Sequence, residues 1–414
     1  MKLMLAVSVL IVSFSFSDLF AEAFFAGNVK SVNSDSGFNA QRNPALMSGQ
    51  KRDTLGFSLF YMYNTYNDTS GLLSMGPIEL NVDGSAKEKI NGSFSFSYVK
   101  KLQEGSFGFA VKNAEGTDQI LINKSTLEIS TAAGSVSTEK NEKKSFAAST
   151  LFSYSRDLGR NESAGIQLEI GTSTENKKKS KHEISPLKDY KVEITTDQLI
   201  GNLNCGYSYV TNKYEIGAIL KFGEYIYEKG KYRYNNNLTP FDKNEKEISP
   251  YIYRNKGFEY TLGLGYNLTR KLLFEIESTL AIPLDVKKKE LKDDDDGVLA
   301  EKHETSHINF SGGANAGLNY KYNSNLKLGF GGGTAVYRSE STGSGGIKFG
   351  KGNLNVYSVL AGAEIKPTEE VSLLFGLNSY YMKQSMKLEM GLLSMKIDID
   401  ALYFNVFAGA STSY

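Results

Sequence analysis

The chain has few of the residues that cross-link or interrupt a fold, with one cysteine and seven prolines in 414 residues, and it has no tryptophan. Since Cys205 has no second cysteine to pair with, an intramolecular disulfide is excluded. The charges nearly cancel, at a formal net charge of +1, which argues against nucleic acid as a partner. Beyond residue 23 no stretch approaches the roughly 18 apolar residues of a membrane-spanning helix. We therefore expect no such helix in the mature chain.

The first residues have the composition of an export signal. One lysine precedes an apolar run, and Ala21-Glu22-Ala23 matches the small-residue pattern at which signal peptides are cut. We predict a signal peptide over 1–23 and a mature chain that begins near Phe24. Tyrosine (25), phenylalanine (24) and glycine (40) are abundant in the whole sequence. An exported, aromatic-rich and proline-poor chain fits one large β-barrel better than two soluble domains.

Apolar residues alternate with small or polar ones over most of the chain after residue 53. Close to the C-terminus, for example, Phe404 and Val406 flank Asn405. A period of two is typical of a strand with one face toward lipid and the other toward a wet lumen. A soluble sandwich also alternates, but its strands are usually shorter. We predict an all-β fold over 54–414, a transmembrane antiparallel β-barrel of about 14 strands, an even number as in bacterial single-chain barrels.

Short turns and long polar segments alternate between the predicted strands. The turns lie at 103–105, 158–161, 211–213, 268–270, 323–325 and 367–369. The long segments, interpreted as outer loops, lie near 67–89, 118–144, 174–191, 229–249, 286–304, 340–352 and 385–396. This arrangement predicts a bacterial outer-membrane protein with both termini in the periplasm. The terminal aromatic Tyr414 resembles the signal read by the barrel assembly machinery, so that machinery and the outer-membrane lipids are expected partners.

Residues 24–53 show neither helical nor strand periodicity over most of their length. Such a run is unusual unless it is functional or disordered, and we predict a plug, or hatch, folded inside the barrel. A disordered linker is the alternative. Pro44 fixes its own φ and restricts Asn43, which predicts a rigid turn. The candidate hatch and ligand residues are Phe24, Phe25, Phe38, Arg42, Asn43, Pro44, Ala45, Leu46 and Met47.

Several charged side chains are expected on the lumenal face of the strands. The alternation points four carboxylates inward, Glu169, Glu259, Glu275 and Glu277, and three lysines, Lys112, Lys221 and Lys327. A charge that faced lipid at mid-bilayer would cost roughly 2–4 kcal/mol. The segment 24–53 is net basic, so pairing with the carboxylates would seat it in the lumen. A structural role for these charges is favoured over ligand binding.

One motif suggests zinc chemistry. The sequence at 303–307, His-Glu-Thr-Ser-His, matches H-E-x-x-H, which needs a helix to bring both histidines onto one face. Here it runs into a predicted strand, on which four residues span about 13 Å, too far for two ligands of one zinc. The acidic run Asp293–Asp296 lacks the ligand spacing of an EF-hand. We predict no metal, no cofactor and no enzymatic activity.

The hatch segment and the strand count together resemble the FadL-like outer-membrane transporters of long-chain fatty acids and other hydrophobic compounds. The resemblance rests on about fourteen strands and on Asn43-Pro44-Ala45, placed shortly before a first strand that starts near Thr54. Two features depart from the family pattern: the preceding small-residue and acidic run is reduced to 34–37, and Arg42 replaces an expected aromatic residue. The resemblance implies passive uptake of a hydrophobic small-molecule ligand.

The same resemblance implies a route for the ligand. It would enter from the outer face, bind in an apolar pocket against the hatch, and leave sideways through a gap made by a kinked strand. The candidates for the kink are 113–116 and 331–333. Two other functions stay open: a structural or surface-interaction (adhesin-like) barrel, and a general diffusion porin.

Overall fold

The computed structural model describes residues 38–75, 78–129, 132–183, 188–236, 239–254, 258–281, 284–293, 299–342, 348–390 and 393–414. Within these ranges the chain is a closed antiparallel β-barrel of 14 strands, which confirms the predicted fold. The predicted signal peptide and the first part of the predicted hatch, including Phe24 and Phe25, lie outside the described residues. Among the residues described, no helix has the length and hydropathy to cross a membrane.

Sixteen strand segments make up the described wall. The first eight are β1 (Thr54–Met75), β2 (Ile78–Leu102), β3 (Gly105–Ile129), β4 (Ala132–Asp157), β5 (Glu162–Glu183), β6 (Lys188–Val210), β7 (Tyr214–Asn236) and β8 (Thr239–Arg254). The others are β9 (Phe258–Asn267), β10 (Leu272–Ala281), β11 (Leu284–Asp293), β12 (Leu299–Lys321), β13 (Leu326–Thr342), β14 (Lys348–Ile365), β15 (Val371–Met390) and β16 (Leu393–Ser413). β8 and β9 both pair with β7, and β10 and β11 both pair with β12. Each of these two couples forms one barrel strand in two segments.

The barrel closes between its first and last strands. β1 pairs with β16 in antiparallel register, starting with Thr54 opposite Ser413. The backbone amide of Tyr414 donates to the Asp53 carbonyl at 3.1 Å. The beginning and end of the barrel wall therefore lie at the same end as the short turns.

The strand register separates an apolar outer face from a largely polar inner face. On β16, Phe404 and Val406 are 47% and 54% exposed, whereas Asn405 between them is 1% exposed. Phe146 and Tyr154 bound the exposed apolar face of β4 at its two ends. The length between them is close to the roughly 9–11 residues of a membrane-crossing strand. An apolar outer band with aromatic margins is the pattern of a barrel that spans a membrane.

The predicted outer loops are wrong in extent. All seven ranges fall mostly within paired strands; β2, β3 and β4, for instance, contain 25, 25 and 26 residues. Since a membrane crossing takes only about 9–11 residues, the strands continue beyond the apolar band as a paired polar wall. The short turns, in contrast, are confirmed: β2 ends at Leu102 and β3 begins at Gly105.

The H-E-x-x-H sequence at 303–307 lies within β12. In the ladder His303 is opposite Lys289, and His307 is opposite Asp285. The strand therefore begins before the motif, whereas the sequence predicted an outer loop to residue 304 and a strand only after the motif. The helical spacing that the zinc motif needs does not occur at these residues.

Candidate functional site

The hatch residues 38–50 lie inside the barrel, against the inner face of its wall. Two short 3₁₀ helices, Asn39–Gln41 and Pro44–Gly49, form most of this segment. Asn43 caps the second helix, because its Oδ1 accepts a hydrogen bond from the Ala45 amide at 3.1 Å. Pro44 occupies the first helical position, where no amide donor is needed. The buried apolar side chains of the hatch, each at most 1% exposed, are Phe38, Ala40, Ala45, Leu46 and Met47.

The Asn43 carboxamide also joins two strands of the wall. Its Nδ2 donates to the Tyr207 carbonyl on β6 at 3.0 Å and to the Ala218 carbonyl on β7 at 3.4 Å. Tyr207 and Ala218 lie opposite each other in the β6–β7 ladder. The oxygen of the amide therefore caps a helix while its nitrogen holds the wall, a combination that a carboxylate could not provide.

Glycines on neighbouring strands make room for this motif. Gly165 on β5 and Gly206 on β6 lie opposite each other. A Cβ at residue 165 would come within 2.6 Å of the Pro44 carbonyl carbon, and one at residue 206 would collide with Asn43 Oδ1. With the hatch docked, only glycine lets the backbones approach this closely.

Polar side chains of the wall bind the carbonyls of the hatch. Ser163 Oγ donates to the Ala45 carbonyl at 2.8 Å. Gln167 Nε2 donates to the Ala40 carbonyl, also at 2.8 Å. Short 3₁₀ helices leave most of their carbonyls without an internal partner, and buried backbone groups need one. On this side of the lumen the hatch is therefore held by hydrogen bonds.

Arg42, in the hatch, lies near a carboxylate on β10 of the wall. Arg42 is 4% exposed and Glu275 on β10 is fully buried, and the two groups are near enough to interact electrostatically. Asn319 Nδ2 donates to Glu275 Oε2 at 2.6 Å. Because a buried carboxylate is costly without partners, these contacts stabilise it. They also link the hatch to β10.

Three other predicted lumenal charges are buried on the inner face. Glu169 and Glu277 are 6% and 2% exposed, and Lys112 is 6% exposed. Asn202 Nδ2 lies 3.5 Å from Glu169 Oε2. None of these three faces the outer apolar band, as their strand register requires.

The remaining predicted charges lie opposite charges of the other sign. Glu259 is exposed to solvent but shares the inner face of β9 with the buried Thr261, and it is opposite Lys221 on β7. Lys327 Nζ lies 3.3 Å from Glu364 Oε2. Both pairs therefore join neighbouring strands of the wall.

Across the lumen from the glycines, the hatch makes an apolar contact. Phe38 packs with Leu360, Leu374 and Phe407, which come from β14, β15 and β16. Gly376 leaves room for the Phe407 ring, since a Cβ there would lie 2.8 Å from the ring atom Cδ1. The hatch thus spans the lumen from polar anchors to an apolar one.

The inner face of β14, β15 and β16 is apolar beyond this contact. Its buried inward side chains, which we call the apolar stripe, are Leu354, Val356, Leu360, Leu374, Tyr380, Met382, Ile399, Ala401, Tyr403 and Phe407. Tyr380 and Tyr403 stack with 4.6 Å between ring centroids and 14° between ring planes. Along β15 from Leu374 to Met382 the stripe runs for roughly 27 Å. The lumen therefore has one apolar side and one polar side.

A small cavity lies beside the Phe38 contact. Its volume is about 20 Å³, and Lys327, Leu328, Leu360 and Phe407 contribute to its lining. That volume holds about one water molecule. The hatch therefore closes the apolar stripe at the end nearest the short turns.

β3 carries an irregularity at the predicted position 113–116. Between the pairs Lys112–Ser149 and Glu115–Ala147, β3 has one more residue than β4. The ladder between β3 and β2 shifts at the same level. An extra residue on one strand disrupts the ladder and bends the strand, so a bulge is present where the sequence indicated it.

The second predicted kink, at 331–333, is wrong. These glycines pair without a register shift with both β12 and β14. Gly332 is needed for close approach, since a Cβ there would lie 2.7 Å from the Ser358 carbonyl oxygen. The glycine run therefore serves packing within a regular ladder.

No protein-family model matches the chain, and no curated protein matches it. Solved structures match over nearly its whole length. A Pseudomonas aeruginosa FadL homologue has a TM-score of 0.59 at 12% identity, covering 94% of this chain and 96% of its own. The Pseudomonas putida toluene transporter TodX has a TM-score of 0.54 at 13% identity, covering 95% and 98%. The Ralstonia pickettii toluene transporter TbuX has a TM-score of 0.53 at 9% identity, covering 96% of this chain and 98% of its own. The chain has the FadL-type barrel fold.

Two parts of this FadL-type barrel were not predicted from the sequence. The contact of Gly165 and Gly206 with the hatch has no local signal, because glycine is common along the chain. The apolar stripe does have one: Leu373, Leu374 and Phe375 are consecutive apolar residues in β15. A strand that is apolar at successive positions has apolar side chains on both faces, and in β15 Phe375 lies on the exposed outer face while Leu374 is buried on the inner one.

Proposed function

We propose that the protein is an outer-membrane channel for the passive uptake of hydrophobic small molecules. The observation that carries this proposal is the apolar stripe, which runs along the lumen from the Phe38 contact to Leu354. Membrane barrels that pass water and ions have a polar interior. A largely apolar face supplies a path on which a hydrophobic compound stays out of water.

Long-chain fatty acids and small aromatic hydrocarbons are the ligand classes that we propose. TodX and TbuX, which share the fold, are toluene transporters. Both classes gain about 25 cal/mol for each Å² of apolar surface removed from water. Phe38 reaches the stripe and is our first candidate for ligand contact within the hatch. Phe24 and Phe25 remain proposed ligand residues.

Other candidate hatch residues are assigned to anchoring. Met47 packs with Ala40, Val99, Ala110 and Leu151 in a cluster on the wall. Asn43 and the other members of its motif dock on the glycines of β5 and β6. We propose that these residues hold the hatch while the side near Phe38 yields to the ligand.

The proposed route ends at the β3 bulge. A ligand that moved along the stripe toward the short turns would reach the hatch, which blocks further movement in that direction. The disturbed ladder around Lys112 and Glu115 supplies a weak point in the wall through which it would pass sideways into the membrane.

The proposed orientation places the short turns and the hatch at the periplasmic side. The polar strand extensions then face outward from the cell. Outer-membrane lipids surround the apolar band, and the assembly machinery reads the last strand, which ends next to Tyr414.

A general diffusion porin is the less favoured alternative. The hatch segment crosses the lumen from Gly165 and Gly206 to the Phe38 cluster. An open water-filled hole at this level would require the segment to leave.

The proposal is tested by uptake into proteoliposomes. Val356 and Met382 lie opposite each other in the stripe, and Val356→Glu with Met382→Glu would place two carboxylates on the ligand path. We expect uptake of labelled oleate and labelled toluene to fall by about tenfold or more, since burying an unpaired charge costs well over 1.4 kcal/mol. Thr261→Glu, on the polar inner face of β9, is the matched control. Equal uptake by both variants would remove the stripe from the ligand path.

A surface-interaction role is a second candidate, favoured by the height of the wall. Strands of 25 or 26 residues extend far beyond a crossing of about 9–11 residues. Removing 118–144 would shorten one outer hairpin. A loss of cell attachment to a surface with uptake intact would support this second role.

A further inference from the structure

Two asparagines interrupt the apolar stripe at one level. Asn378 on β15 and Asn405 on β16 lie opposite each other, and Asn378 is also opposite Leu360 on β14. Asn378 is 3% exposed and Asn405 is 1% exposed. The stripe therefore contains a pair of amides enclosed by apolar side chains.

These amides lack the partners that buried polar groups normally have. Among the residues that the structure describes, Nδ2 and Oδ1 of Asn405 and Oδ1 of Asn378 have no hydrogen-bond partner. Nearly all buried polar side-chain atoms in proteins have a partner. Leucine at these positions would continue the stripe without that cost, so the amides need another explanation.

Aromatic rings lie on both sides of the amide pair. One position further along the same inner face, Tyr380 stacks on Tyr403. In the opposite direction lie Phe407 and the hatch residue Phe38. A ligand at the amides would therefore have flat apolar surfaces above and below it, which suit an aromatic ring or an alkyl chain.

The chemistry of the amides selects the polar group of the ligand. An amide offers one acceptor and two donor hydrogens but no charge. The nearby cations face carboxylates: Lys327 lies 3.3 Å from Glu364, and Arg42 interacts with Glu275. A neutral group that both donates and accepts fits this pair, and a hydroxyl is the smallest such group.

We infer that Asn378 and Asn405 bind the hydroxyl of an otherwise apolar ligand, an alcohol or a phenol. The inference rests on the proposed channel function and names a substrate class for it. The hydroxyl donates to an amide oxygen and accepts from Asn405 Nδ2. The hydrophobic part of the ligand lies along the stripe, against the two tyrosines.

Three probes of equal length test this site: 4-heptylphenol, heptylbenzene and 4-heptylbenzoate. Binding of each labelled compound is measured by equilibrium dialysis against the full chain in lipid nanodiscs, with empty nanodiscs subtracted. We expect the phenol to bind about tenfold tighter than the hydrocarbon, as one added hydrogen-bonded group allows. In Asn378→Leu with Asn405→Leu, the phenol should lose this advantage while heptylbenzene binds as well as before.

Asn202→Leu is the matched control, because it removes a buried amide from the opposite wall, where Asn202 contacts Glu169. The two single variants Asn378→Leu and Asn405→Leu decide the question if the double variant does not fold. Equal affinity for phenol and hydrocarbon in the native chain would overturn the hydroxyl site and leave the channel function standing. Tighter binding of the benzoate would overturn it in favour of a carboxylate site. Failure of all three probes to bind would instead count against the channel function itself.

Discussion

Gly165 and Gly206 face each other across two neighbouring strands, and the Asn43–Pro44 peptide rests on both of their backbones. The barrel wall and the hatch are therefore complementary at three positions that are far apart in the sequence. Neither glycine is needed for its strand to form, since a strand interior is weakened by glycine. Their presence is explained by the hatch.

We expect Gly206→Ala to displace the hatch from the wall without unfolding the barrel. The new methyl group would overlap Asn43 Oδ1, at a cost of roughly 1–3 kcal/mol for overpacking. The measurement is ion conductance of the purified protein in planar bilayers, which should rise. Gly201→Ala is the control on the same strand, because a Cβ at residue 201 has nothing within 4 Å. Unchanged conductance in both variants would contradict this role of Gly206.

Removal of Arg42 should loosen the hatch through Glu275. Arg42→Met leaves a fully buried carboxylate with Asn319 as its hydrogen-bond partner. Arg42 attracts this carboxylate electrostatically, and removal of one partner of a buried polar contact destabilises the group that is left. Limited proteolysis should then cut within the hatch at a higher rate. Adding Glu275→Gln should restore most of the protection, since the unpaired charge is gone. If the two substitutions have additive effects, the residues are not coupled.

The strand register predicts opposite results for adjacent residues of β14. Val359 is 69% exposed on the outer face, whereas Ser358 points into the lumen. Val359→Arg should reduce the amount of folded barrel in the outer-membrane fraction, because an arginine facing lipid costs roughly 2–4 kcal/mol at mid-bilayer. Ser358→Arg should assemble to a higher level. Equal amounts would mean that the assigned faces are wrong.

Deletion of one bulged residue tests the lateral exit. Without Asn113, β3 and β4 would have equal numbers of residues between Lys112 and Glu115. We expect a regular ladder, a folded barrel, and uptake of labelled oleate reduced by about tenfold. The control is deletion of a residue from the short turn at 158–161. Native uptake by the regularised barrel would show that the ligand leaves by another route.

The orientation is tested by epitope insertion in intact cells. A tag placed at residue 185, between β5 and β6, should be accessible to antibody. The same tag placed at Gly159, in the short turn between β4 and β5, should become accessible only after the cells are permeabilised. The reverse pattern would invert the proposed topology.

The sequence alone predicted the barrel because a period of two is a direct physical signal. Phe404, Asn405 and Val406 alternate in the sequence and alternate in exposure. The β3 bulge was also predictable, since the alternation fails at 113–116. Asn43 was singled out by its position next to Pro44, although its bonds to β6 and β7 were not predicted.

The rest depended on contacts between distant residues. The sequence predicts loops for the outer halves of the strands because polar strands outside a membrane lose the apolar signal while keeping their ladder hydrogen bonds. The glycine run at 331–333 predicts a bulge wrongly because composition does not distinguish a bulge from close packing. The partner of Arg42 could not be chosen among four lumenal glutamates, because that choice depends on how the hatch crosses the lumen.

The anchors of the hatch also order the events of assembly. Asn43 bonds to carbonyls that become neighbours only when β6 and β7 have paired, and Phe38 needs β14, β15 and β16 side by side. The segment is made first by the ribosome, yet its binding surface includes the last strand. Both anchors can therefore form only after β6 has paired with β7 and the last three strands lie side by side, so a docked hatch reports that these distant parts of the wall are in place.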